Sequence, residues 1–174
     1  MSKLFALLFF SSLIVAPVFG QTKQEKKQLK AEQEEADFQV NKTLIESKDY
    51  EFRAEWANPF RRGRISLVTT PNYLILEEGE ARIHLPYFGV AHNSSPAYSG
   101  DTGIVFEGTY EDYKVEVNDK KKEITVRFKC MAKKENLDFN LLVYPSGNSR
   151  LNVTSTMRDG INYDGKTASI EKKE

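Results

Sequence analysis

The chain has a single cysteine, Cys130, and only two histidines, His84 and His92, in 174 residues. One cysteine cannot close an intramolecular disulfide or supply a paired-cysteine metal motif, so stability has to come from packing. Neither sign of charge is in excess, with 25 Lys and Arg against 25 Asp and Glu. Clustered positive charge drives binding to a phosphate backbone, so this balance argues against a nucleic acid partner. The sequence has no serine-hydrolase elbow and no zinc-protease helix. A phosphate-binding glycine loop is not expected either. Long hydrophobic runs are also missing: the stretch Leu4 to Val15 falls short of the ~20 apolar residues that a helix needs to cross a bilayer.

That short run is informative in another way. Lys3, the largely apolar run and Ala16-Pro17-Val18-Phe19-Gly20 read as the three parts of a secretory signal peptide over residues 1–20. Cleavage after Gly20 is preferred, because a cut after Ala16 would set Pro17 next to the scissile bond. The mature chain then carries 24 Lys and Arg against 25 Asp and Glu, a net charge of −1. A lipid anchor would need a cysteine directly after the cut, and the cysteine stands at position 130. The expectation is an exported protein, periplasmic or extracellular, with no integral membrane anchor after cleavage.

Residues 21–48 are rich in Lys, Glu and Gln and contain neither Gly nor Pro, a composition that favours helix. Leu29, Gln33, Ala36, Val40 and Leu44 share one helical face, so the segment reads as a polar leader helix with a weak apolar stripe. Residues 21–46 are expected to be dispensable for folding of the β domain that follows over residues 49–170.

At Tyr50 the period changes to two. Tyr50, Phe52, Ala54 and Trp56 are expected on one face, with Asn58-Pro59 ending the strand. Further strands are read at Ile65 to Thr70, Tyr73 to Leu76, Ala81 to Leu85, Gly103 to Glu107 and Tyr113 to Val117. Four more follow at Ile124 to Met131, Leu137 to Tyr144, Leu151 to Thr156 and Ile161 to Tyr163. Turn residues separate them, including Glu78-Gly79, Asp159-Gly160 and Asp164-Gly165. Short strands with hairpin-length connections predict a mainly β fold, an antiparallel barrel or sandwich of about eight to ten strands with an N-terminal helix, and a lipocalin-like barrel is one form it can take. Cys130 alternates with Val126 and Phe128, which predicts a buried, inert thiol.

Between Leu85 and Gly103 the alternation stops. A connection of this length without its own period is usually functional or disordered, and its aromatic residues favour function. Tyr87, Phe88 and Tyr98 either plug one end of the β structure or line a binding site together with His92 and Asp101. His84, His92 and Asp101 form a conceivable zinc set, but His84 lies on a strand and His92 in the loop, so no metal or other cofactor is expected. Arg61-Arg62-Gly63-Arg64 reads as a solvated basic loop.

The run Leu85-Pro86-Tyr87-Phe88-Gly89, then Tyr98, Gly100 and Gly103 to Gly108, and finally Ile161-Asn162-Tyr163-Asp164-Gly165 resemble a known signature. It is that of domain-of-unknown-function family 4251, exported proteins of Gram-negative gut and environmental bacteria. The resemblance covers roughly residues 40 to 170 and implies the compartment and the domain, with no activity to transfer. Three classes of function follow. The leading one is a non-catalytic binding protein for a small or apolar ligand. The next is a structural or protein-interaction module of the cell envelope, and an enzyme comes third.

Overall fold

The computed structural model describes residues 23–90, 103–132 and 135–170. Helix α1 (Lys23–Ser47) precedes ten strands. These are β1 (Tyr50–Pro59), β2 (Ile65–Ser66), β3 (Tyr73–Glu77), β4 (Glu80–Leu85), β5 (Ile104–Thr109), β6 (Glu111–Asn118), β7 (Glu123–Ala132), β8 (Glu135–Val143), β9 (Asn148–Ser155) and β10 (Ile161–Ala168). The strands run in the order β5-β4-β3-β1-β10-β9-β8-β7-β6, with β2 also on β1, and every ladder is antiparallel.

The ten strands form eight staves of a nearly closed barrel. β2 and β3 lie on the same edge of β1, β2 opposite Trp56 and Ala57 and β3 opposite Tyr50 to Phe52. Residues 67–72 leave the sheet between them, so β2 stops at Ser66 and does not reach Thr70. Asn72 fills the break: its Oδ1 accepts from the Ala54 N–H at 2.7 Å and its Nδ2 donates to the Ala54 carbonyl at 3.0 Å. β5 and β6 are separated by Tyr110 alone; the first bonds β4 and the second bonds β7. Residues 104–118 therefore act as one bent stave joining the two halves of the sheet. The bend comes from left-handed backbone at Asp112 (φ 55°) and a register slip between Glu111 and Lys114.

An eight-stave barrel is about wide enough for its own side chains to fill. Here they do. Tyr50, Phe52, Leu74, Leu141, Leu151 and Tyr163 are fully buried, and the Phe128 and Phe139 rings stack at 4.8 Å. Cys130 is buried among them, and burial pushes its thiol up to about 12.

Two further strand readings need correction. In β1, an extra residue between Ala54 and Trp56 shifts the register against β10. The bulge reverses the parity, so Ala57 and Pro59 turn inward, the strand continues through Asn58-Pro59, and Trp56 leaves the core face. Asp164-Gly165 is not a turn, since β10 runs on to Ala168. Gly165 is required there because a methyl group would overlap the Arg53 carbonyl oxygen of β1.

Helix α1 lies across the end of the barrel formed by the start of β1 and the β3–β4, β6–β7 and β8–β9 turns. Phe38, Asn41 and Ile45 are its buried residues, whereas Leu29 and Val40, from the expected apolar stripe, are exposed. Asn41 Nδ2 donates to the Tyr144 and Pro145 carbonyls at 3.2 and 2.7 Å, and the Tyr113 hydroxyl donates to the Ile45 carbonyl at 3.2 Å. Lys122 reaches Glu35 at 3.1 Å. The leader thus lies as a lid over core residues, which argues against its being dispensable. At Lys48 the backbone turns left-handed (φ 60°) and its N–H bonds the Ile45 carbonyl, ending the helix just before β1.

Candidate functional site

The opposite end of the barrel, where β4 ends and β5 begins, holds the expected site. Tyr87 is 7% exposed, and its hydroxyl lies 2.9 Å from the Asp159 carbonyl and 3.1 Å from that of Val90, one proton shared between two acceptors. Burial raises its phenol above the usual range, with the Asp159 carboxylate adding to the effect. Arg158 covers the Tyr87 ring at 4.9 Å. Its Nε and Nη2 grip the two Glu135 oxygens at 2.7 Å each, and its Nη1 donates to the Gly103 carbonyl at 3.2 Å. Ser155 Oγ also bonds Glu135. Both charged side chains are 6% exposed. Tyr163 donates to the Pro86 carbonyl at 2.7 Å, so both flanks of the long connection are tied to the strands beside them.

Tyr87 is therefore committed to closing the barrel, and the plugging alternative describes it. Phe88 packs, half-buried, against the core. Gly89 has no room for a side chain because a methyl group would meet the Tyr87 hydroxyl. His92, Tyr98 and Asp101 lie outside the described residues. His84 sits on β4 with its ring 5.9 Å from that of Tyr73. Among the described residues, no three of His, Cys, Asp and Glu come together in a metal-holding group.

In the basic loop, Arg64 lies over the Trp56 ring at 4.3 Å and reaches Asp164 at 3.4 Å, and Arg61 is 3.9 Å from Asp159. Asp164 also accepts from Arg150 at 2.8 Å and Asn58 at 2.9 Å. Partial burial opposes its ionisation, but these partners outweigh that and hold the carboxyl below its ordinary value.

The chain also spells Gly160-Ile161-Asn162-Tyr163-Asp164-Gly165-Lys166-Thr167, the letter pattern of a phosphate-binding loop. That chemistry needs a loop opening into a helix. Here residues 161–168 are a strand hydrogen-bonded to β1 and β9, with Tyr163 in the core, so the match carries no phosphate site.

A groove of about 240 Å³ lies instead on the outer wall, over β6 to β9. Its rim includes Lys114, Arg127, Lys129 and Asp138, and Asn140 and Asn152 lie between. Arg127 pairs with Glu116 at 2.6 Å and Lys129 with Asp112 at 2.8 Å. The hydrogen bond from Lys129 holds the Asp112 carboxyl below its usual range. The strand registers put Arg127 beside Asn140, Asn140 beside Asn152, Asn152 beside Asn162, and Asn162 beside Asn58. Sequence reading passed over this row because each member is an ordinary outward residue of its own strand. Only the cross-strand register brings them together.

The chain matches the family model described as "Domain of unknown function (DUF4251)" over residues 32–167. Among solved structures, it is similar to the crystal structure of a DUF4251 family protein from Bacteroides eggerthii. The likeness has a TM-score of 0.58 at 15% identity and covers 77% of this chain and 88% of the other. Comparison with curated proteins returns no match. The matched span includes both ends of the barrel and part of the helical lid, and the chain belongs to the DUF4251 family.

Proposed function

We propose that the protein is an exported, non-catalytic binding protein of the periplasm or the cell exterior, released by cleavage of the signal peptide at residues 1–20, and that its ligand lies against the outer wall of the barrel. The observation that carries this reading is the filled interior. A lumen able to hold a ligand would leave its lining open to a water-sized probe, whereas the inward side chains of β1, β3, β7, β8 and β10 are all buried, Tyr50, Phe52, Leu76 and Tyr163 at 0% and Glu135 at 6%. Phe106, Tyr113 and Val115 of the bent stave pack partly buried against them. Both mouths are occupied as well, one by Phe38 and Ile45 and the other by Tyr87 and the Arg158–Glu135 pair. The groove over β6 to β9 offers polar side chains to a ligand from outside, among them the Asn140 amide, which has no partner among the described residues.

The test uses protein recovered from the exported fraction. Intact mass should show a chain beginning at Gln21, and native mass spectrometry should detect a co-purifying ligand. Asn140→Trp fills the groove from the outside and should remove that ligand. A ligand that persists in this variant places the site elsewhere on the chain.

The second reading, an interaction module of the envelope, is favoured by a different observation. Phe60 (86% exposed), Met131 (62%) and Val90 (49%) are apolar, and they follow β1, end β7 and follow β4, all at the Tyr87 end of the barrel. A stable assembly larger than the monomer on size exclusion, lost in Phe60→Ser, would support it.

A further inference from the structure

We infer that the outer-wall groove takes a hydroxyl-rich ligand, a neutral saccharide chain laid across the strands along the asparagine row; this rests on the outer-wall reading and names its ligand. Asn140, Asn152, Asn162 and Asn58 stand opposite one another on β8, β9, β10 and β1, continuing the row from Arg127 on β7. Neighbouring strands are ~4.8 Å apart, so the four asparagines span about 14 Å and the row with Arg127 about 19 Å. That step is close to the length of one pyranose unit, so successive sugars would meet Asn140, Asn152 and Asn162 in turn, while the Asn58 amide already donates to Asp164.

The chemistry of the row narrows the ligand further. Asn152 Nδ2 donates to Asn162 Oδ1 at 2.8 Å. This leaves an acceptor on Asn152 and donors on Asn162 pointing along the wall, and the Asn140 amide makes no hydrogen bond among the described residues. Each amide presents two donors and an acceptor. A row with both kinds of group complements hydroxyls, which also donate and accept, better than it does phosphate, which only accepts.

Charge points the same way. The Arg127 and Lys129 cations already face Glu116 and Asp112, and Lys114 shares the rim with Asp138. No excess of positive charge is left to select an anion. A peptide would need a free strand edge to add to the sheet, and β7, β8, β9 and β10 are each bonded along both edges.

The experiment is affinity electrophoresis of the full exported chain in native gels cast with soluble β-glucan, xylan or mannan. Polygalacturonate is the anionic comparison. Retardation is expected in at least one neutral gel, with the association constant reduced tenfold or more in Asn140→Ala/Asn152→Ala. Asn140 is exposed and Asn152 half-buried on the outer face, and the melting transition of the double variant, measured alongside, should stay close to that of the parent. Retardation by polygalacturonate alone, by none of the polymers, or equally in the parent and a folded double variant would overturn the inference. If native mass spectrometry instead finds a peptide or lipid that Asn140→Trp displaces, the outer-wall site stands and the saccharide assignment falls.

Discussion

The two ends of the barrel are closed by different means. At one end a helix lays two apolar residues, Phe38 and Ile45, over the core, and Asn41 fixes its position through the Tyr144 and Pro145 carbonyls. At the other, residues 86–90 are held by a buried guanidinium–carboxylate pair, a shared phenol proton and a tyrosine-to-backbone bond. Apolar closure gains from area and tolerates some sliding. Polar closure depends on geometry, because each buried donor or acceptor that loses its partner carries its full desolvation cost. The first kind suits a segment that comes before the barrel in the chain, and the second fixes where a long connection leaves the barrel and returns.

The comparison breaks most sharply if the lid is removed. A chain starting at Ser47 should aggregate or melt without a cooperative transition, since Tyr50 and other core residues under Phe38 and Ile45 would face water. A sharp thermal transition in the truncated protein would show that the helix only decorates the barrel. Arg158→Leu comes next, with an expected loss of about 3–5 kcal/mol in urea unfolding, because Glu135 is left buried and charged. Adding Glu135→Leu should restore most of that stability. If the two losses simply add, the pair is not acting as a unit.

Smaller changes sharpen the contrast. Tyr87→Phe should cost about 1–2 kcal/mol and speed hydrogen exchange around Asp159, whereas Asn41→Ala should cost about 1 kcal/mol and loosen only the helix. Equal effects on both ends would mean that the two closures are coupled.

The most gradual effect concerns alkaline pH. Cys130 is raised to about 12 when folded, so its contribution is intact below pH 9 and is lost as pH rises from there toward 12. The slope should approach about 1.4 kcal/mol per pH unit, steepening above pH 10 as the buried, similarly raised Tyr50 and Tyr163 begin to count. Cys130→Ala should remove the part of the slope between pH 9 and 10. Thiol reagents should label the parent only after denaturation.

Strand positions were legible because alternation is a local signal, and the barrel wall follows that signal from Tyr50 to Ile161. What escaped depends on partners distant in sequence. Hydropathy favours Leu29 and Val40 over Asn41, yet Asn41 is inward-facing because two carbonyls at the β8–β9 turn await it. The Glu55 bulge has no marker in its own residues, so Trp56 was placed on the wrong face. Gly165 looked like a turn because its reason lies on β1. A trace of the polar closure was visible: Glu135 shares its parity with Leu137, Phe139 and Leu141, a carboxylate on the core face of a strand. Its partner Arg158, in a turn 23 residues away, could not be picked out from the sequence.

Asn72 carries a further consequence. Where residues 67–71 leave the wall, the buried N–H and carbonyl of Ala54 would otherwise stand as an open strand edge. A side-chain amide occupies the place of a backbone peptide there and satisfies both groups. Such gaps are where a strand from a second molecule can attach, and the Asn72 amide leaves neither backbone group of Ala54 open to one. An Asn72→Ala chain would keep most of its packing and lose that protection, and oligomers would form at concentrations at which the parent stays monomeric.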